Sequence, residues 1–165
     1  MKRLILCLFV LSFASCSRKT DQQLYHEGLD AEGRAERASA LASYAEAVAL
    51  SPSSAYAESS QYRAALLLTN MEGEKRRAAR EQLRFHAMFP SSPNAPSMLF
   101  LAAFTYNNDL HNIDSARLLY TQFLETYPQD KLASSARFEL DNLGKSPDEF
   151  IRAQNSADST KVSVR

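Results

Sequence analysis

Three histidines are the most reactive side chains in the body of this 165-residue chain, and they are scattered at His26, His86 and His111. No HExxH, GxSxG or phosphate-loop spacing occurs around them. The run YNNDLHNID places Asp109, His111 and Asp114 close together, and all three are possible metal ligands. One histidine between acids is too common to define a metal site, so we interpret this run as a structural loop. No nucleophile, base and orienting group occur together, so we expect no enzyme activity, cofactor, metal or small-molecule substrate.

A basic stretch follows Glu74. Arg76, Arg80 and Arg84 lie at i, i+4 and i+8, which is one stripe of a helix. An acidic partner or anionic lipid head groups could bind such a stripe. The simpler interpretation is a solvated helix face, partly neutralised by acidic neighbours. These neighbours are Glu72, Glu74 and Glu81.

The first residues, 1–15, have the pattern of an export signal. Lys2 and Arg3 precede an apolar core that runs from position 4 to 15, too short to span a bilayer of about 30 Å as a helix. The small residues before Cys16 resemble the bacterial lipobox, which implies a palmitoylated or otherwise acylated cysteine followed by a tether at 16–20. Ordinary secretion, with cleavage after Ala14, is the alternative. Because Cys7 lies in the signal, Cys16 would be the only thiol of the mature chain.

Three prolines, Pro52, Pro90 and Pro128, stand 38 residues apart. The residues that precede them recur with the same spacing: small or aromatic side chains stand twelve, eight and five positions before each proline, with Gln82 as the one exception. A period kept through three units indicates stacked supersecondary units, and each proline would end a helix. The repeated positions predicted to pack these units together are Ala40, Tyr44, Ala47, Ala78, Phe85, Ala116, Tyr120 and Phe123.

This pattern resembles the tetratricopeptide repeat (TPR), in which an alanine, an aromatic residue and a closing proline mark the second helix of each hairpin. Leu24 and Gly28 match the signature of the first helix, whereas Gln82 replaces the aromatic residue in the second unit. The resemblance covers 21–143 and implies an all-α solenoid of about three and a half repeats, wound as a right-handed superhelix. This variant resembles the TPR lipoproteins of the bacterial outer membrane.

The pattern predicts seven helices before the C-terminal segment. A further short helix is expected within 144–154, and residues 155–165 have no periodicity and are expected to be a disordered tail. The seventh helix has no second-helix partner and should cap the stack. The seven predicted helices occupy about 21–33, 37–50, 54–70, 74–88, 95–107, 113–126 and 131–143.

In TPR proteins the first helices line a concave groove that receives a protein segment. By register, the resemblance assigns eight residues to that groove: Tyr25, Leu29, Arg63, Leu67, Asn70, Leu101, Thr105 and Asn108. The two asparagines could pair with a ligand's backbone or could simply end their helices.

The net charge and the predicted lipid anchor lead to expectations about partners and location. The chain has 19 basic and 19 acidic residues, so no overall field attracts it to nucleic acid. We therefore expect a non-catalytic protein-binding adaptor, lipid-anchored in the cell envelope and on the periplasmic face of the outer membrane. Its partners would be membrane-proximal envelope proteins, with outer-membrane protein assembly as one role. The alternative is a binder of cell-wall glycan or a component of a carbohydrate-uptake complex.

Overall fold

A computed structural model of the chain describes residues 18–145, and this part contains helices and loops with no strand. The predicted all-α class is confirmed for these residues, and each observed boundary lies within two residues of its prediction. The signal, Cys16, the short helix expected after Ser146 and the tail lie outside the described residues. The helices are α1 (Asp21–Gly33), α2 (Arg37–Leu50), α3 (Ala55–Thr69), α4 (Lys75–Met88), α5 (Ala95–Asn108), α6 (Ile113–Thr126) and α7 (Ala133–Asn142).

Each helix packs on the next one in chain order, and α1 also packs against α3. This arrangement is that of a helical solenoid in which successive hairpins bury one another's apolar faces. Between residues 18 and 145, no helix is both long enough and apolar enough to cross a membrane.

The helix boundaries and the turn conformations of the backbone also repeat every 38 residues. Helices α2, α4 and α6 begin at 37, 75 and 113 and end at 50, 88 and 126. In each unit the residue after the helix donates a last backbone hydrogen bond and a proline follows, so the chain turns there. The hairpin turns also match, because Ala35, Gly73 and His111, again 38 apart, all have positive φ.

The repeated small and aromatic residues form the core. Ala40, Ala78 and Ala116 have no exposed surface, and neither do Tyr44, Gln82 and Tyr120 one helical turn later. Small side chains let neighbouring helices approach closely, and the larger side chains fill the remaining space. The third layer is also fully buried and consists of Ala47, Phe85 and Phe123.

The helix ends show how local chemistry sets the boundaries. Ser54 caps α3, since its hydroxyl accepts a hydrogen bond from the amide of Ala57 at 3.0 Å. The serines after Pro90 do not cap α5 in the same way. Its N-cap is Asn94, whereas the Ser92 hydroxyl donates to the Glu58 carboxylate at 2.6 Å.

Gly28 permits a close approach between α1 and α2. A Cβ atom at this position would lie within 3.0 Å of three ring carbons of Tyr44. Gly33, at the end of the same helix, has no atom within 4 Å of the corresponding position. The glycine at 28 is therefore required by packing, while the one at 33 is not.

We expect Gly28→Ala to lower the free energy of unfolding by about 1–3 kcal/mol, because the ring of Tyr44 must move out of a filled core. Gly33→Ala is the matched control in the same helix and should be neutral or stabilising by up to about 1 kcal/mol. Urea unfolding followed by circular dichroism measures both. Equal effects of the two substitutions would contradict the packing role of Gly28.

Candidate functional site

The first and third helices bring together four of the eight predicted groove residues. Tyr25 and Leu29 on α1 and Leu67 on α3 pack against the buried cluster of Ala31, Ala40 and Tyr44, and each keeps part of its surface exposed. Arg63 lies on the same side of α3 and is exposed.

A fifth residue, Glu32, joins these helices. Its carboxylate accepts a hydrogen bond from the hydroxyl of Tyr44 at 2.7 Å, and its other oxygen lies 3.5 Å from the guanidinium of Arg63. Burial, followed by the hydrogen bond to Glu32, raises the pKa of the Tyr44 hydroxyl, so it stays protonated as a donor. We call the surface formed by Tyr25, Leu29, Glu32, Arg63 and Leu67 the docking face.

Sequence reasoning missed Glu32, although the signal was present. Glu32 lies 38 residues before Asn70 and 76 before Asn108, so it occupies the same register position as the two predicted asparagines. An acidic residue at a position shared with two amides was therefore part of the same pattern.

An aromatic group borders the docking face. The rings of Tyr25 and Tyr56 have centroids 5.8 Å apart, and His26 lies 5.5 Å from Tyr25 and 6.3 Å from Tyr56. Such separations are typical of favourable aromatic pairs. Neither Tyr56 nor His26 was predicted to belong to a binding site, because the corresponding residues of the other units are aromatic at neither position.

The predicted asparagines end their helices. The amide of Asn70 donates to the carbonyl of Leu66 at 3.2 Å, and that of Asn108 donates to the carbonyl of Phe104 at 3.1 Å. Both side chains are exposed. These contacts favour the helix-ending interpretation over the pairing with a ligand's backbone.

The predicted groove does not continue evenly into α5. Leu101 packs against a separate buried cluster of Ala65, Phe85 and Met98. Thr105 is only 2% exposed, and its hydroxyl donates to the side-chain oxygen of Gln82 at 3.4 Å. The assignment of Thr105 to an accessible groove is therefore wrong, because this side chain completes the polar core of the second unit.

The histidines do not form a metal-binding group in the described residues. Nε2 of His86 lies 3.0 Å from the hydroxyl of Tyr127, and burial lowers the pKa of this imidazole. Asp109 lies 3.6 Å from the ammonium of Lys75 rather than beside a second metal ligand. Between residues 18 and 145, no three histidine, cysteine or acidic side chains converge on a metal position.

An open cleft of about 540 Å³ lies away from the docking face, between the corners at Pro52 and Pro90. Met88 and Phe89 line it, and the carboxylate of Glu58 is held there by Ser92. We regard the docking face as the better site, because it combines partly exposed anchors with a charged pair, whereas most residues that line the cleft lie in loops.

Comparison with known proteins assigns no relative. The sequence matches no protein-family model and no curated protein. The functional argument therefore rests on the geometry of the docking face.

The corresponding tyrosines of units one and three provide a test of the Glu32 contact. Both are fully buried, but the hydroxyl of Tyr120 has no hydrogen-bond partner among the described residues. The residue in the place of Glu32 is Asn108, whose amide bonds its own helix. Tyr120 thus carries a buried polar atom that contributes no bond.

We expect Tyr44→Phe to destabilise the fold by about 0.5–1.5 kcal/mol, because it removes the hydrogen bond to Glu32. Tyr120→Phe is the matched control and should be neutral or slightly stabilising, since it removes an unsatisfied hydroxyl without leaving a cavity. Thermal and urea unfolding of both variants measures the difference. A loss on Tyr120→Phe as large as that on Tyr44→Phe would contradict this assignment.

Proposed function

We propose that this protein is a non-catalytic adaptor that binds a segment of a partner protein on the docking face. In this proposal the solenoid is a TPR-like right-handed superhelix, tethered by a lipid on Cys16 to the cell envelope of a bacterium. The outer membrane is the proposed location, and the partner is another envelope protein at the same membrane.

The composition of the docking face carries the proposal. Aromatic and arginine side chains are the usual anchors of protein interfaces, and Tyr25 and Arg63 supply one of each beside the partly exposed Leu67. Glu32 and Arg63 remain 29% and 45% exposed, so their charges can still orient an incoming segment. Such a mixed surface on two neighbouring helices suits an extended or helical peptide.

The TPR-like classification is supported by the residues that repeat. Alanines at 40, 78 and 116 and prolines at 52, 90 and 128 fall at the positions that the resemblance requires. The contact of Gly28 with Tyr44 agrees with the first-helix signature. The handedness of the superhelix is part of the proposal.

The tether places the docking face close to the bilayer. Thr20 caps α1, so only residues 17–20 separate Cys16 from the first helix. Four extended residues span roughly 14 Å. Lys19 is engaged by Glu27 at 2.6 Å, which leaves Arg18 as the basic residue of the tether for contact with anionic head groups.

A second candidate function is glycan binding, and one observation favours it. Tyr25, His26 and Tyr56 form a partly exposed aromatic group on which sugar rings could stack. A shift of the melting temperature by soluble cell-wall fragments, lost on Tyr56→Ala, would support this role instead of the adaptor.

The adaptor predicts a defined crosslinking pattern. A photoreactive residue in place of Tyr25 should capture one envelope protein in intact cells, because this side chain is a central anchor of the docking face. The control is the same residue at Ala42, which is exposed on α2. Arg63→Glu should abolish the capture by reversing the charge beside Glu32. If Ala42 captured the same protein, or if Arg63→Glu had no effect, binding at this face would be refuted.

The anchor makes an independent prediction. Cys16→Ser should release the protein from the membrane fraction, because a serine cannot carry the thioether-linked lipid. Fractionation and labelling with a palmitate analogue measure this. Continued membrane association without label would show that the chain is held in another way, while leaving the docking face untouched.

A further inference from the structure

Helix α4 carries a dense group of cations that the docking face does not use. Arg76, Arg77, Arg80 and Arg84 are all exposed. At 100° per residue they fall within about a quarter of the helix circumference, and they extend over about 12 Å of its length. We call these four residues the arginine stripe.

The internal repeat shows that the fold does not require these arginines. The residues 38 positions before and after Arg76 are Ala38 and Asp114, and those for Arg80 are Ala42 and Leu118. The three second helices have matching boundaries and bury the same layers. For Arg77 the corresponding residues are Ser39 and Ser115, and for Arg84 they are Glu46 and Gln122.

Acidic neighbours neutralise only part of the stripe. Arg77 lies 3.8 Å from Glu74 and Arg84 lies 3.5 Å from Glu81. These pairs are exposed and screened by solvent, so each contributes little. Within residues 18–145, neither Arg76 nor Arg80 forms an ion pair.

Lys75 does not belong to the stripe. Its ammonium donates to the carbonyl of Thr69 at 2.7 Å and lies 3.6 Å from Asp109. The excess charge therefore comes from arginines that are free to meet an external anion, chiefly Arg76 and Arg80.

We propose that the arginine stripe binds the anionic head groups of a phospholipid bilayer. The large apolar side chains that are exposed in the described part of the chain lie on other helices, so α4 offers charge without apolar anchors. A protein partner normally needs such anchors, whereas head groups are attracted by exposed cations alone. The choice of a bilayer also rests on the proposed lipid tether, which would hold the stripe near a membrane.

The test compares vesicles of phosphatidylcholine with vesicles that also contain phosphatidylglycerol, using the full chain in sedimentation assays. The ratio of the two binding constants cancels the contribution of a lipid anchor, and Arg18 is present in every protein compared. The difference between variant and control therefore reports the stripe even if the proposed anchor is wrong. The variant is Arg76→Ala with Arg80→Ala, which introduces the residues of α2. The control is Arg37→Ala with Arg137→Ala, which removes two other exposed arginines and gives the same net charge.

An arginine close to an anionic surface contributes about fivefold to binding, so the stripe variant should lower the ratio roughly thirtyfold. The control should retain most of it, and added salt should remove the wild-type preference. A ratio near one for the wild type, or equal losses in variant and control, would overturn the proposal. Binding of soluble polyglutamate that depends on Arg76 and Arg80, without a vesicle preference, would assign the stripe to an acidic protein instead.

Discussion

The second helix of every hairpin must bury a small side chain and, one turn later, a large one. Ala40, Ala78 and Ala116 bring the neighbouring helices into contact, and the side chains at 44, 82 and 120 fill the space between them. A hairpin of this length cannot bury both of its faces alone, so each unit is stabilised by the next one. The fixed register of α2, α4 and α6 follows from this constraint, because a shift by one residue would turn the alanine away from its neighbour.

The packing position at 44, 82 and 120 accepts side chains of different chemistry, so the units form different polar contacts. Tyr44 reaches Glu32 and so connects the core to a charged pair at the surface. Gln82 instead bonds the hydroxyl of Thr69 at 2.9 Å and accepts from Thr105, which keeps its polar atoms inside. Only the first of these arrangements brings charge to an accessible face. The docking face therefore belongs to the first hairpin and α3.

The period and the prolines allowed the helices to be predicted to within two residues, since both signals are local. Three features were not predicted from the sequence, each for a physical reason. Thr105 is buried against Gln82 of α4, and a contact between helices cannot be read from the register. Ala35 and His111 adopt positive φ without being glycine, because the repeated turn imposes that conformation. Glu32 was overlooked because its role depends on Tyr44 and Arg63 in other helices.

An internal repeat separates what the fold needs from what it does not need. Residues that recur every 38 positions are explained by packing, whereas a charged residue that occurs in only one unit is not required by the repeated core. Glu32 and Arg63 on the docking face are of this second kind, and so are Arg76 and Arg80 on α4. These two groups lie on different helices. Glu32 and Arg63 form an ion pair with each other at 3.5 Å, whereas Arg76 and Arg80 form no ion pair in the described residues. If both proposals hold, a peptide bound to the first group would leave the second group available to a membrane.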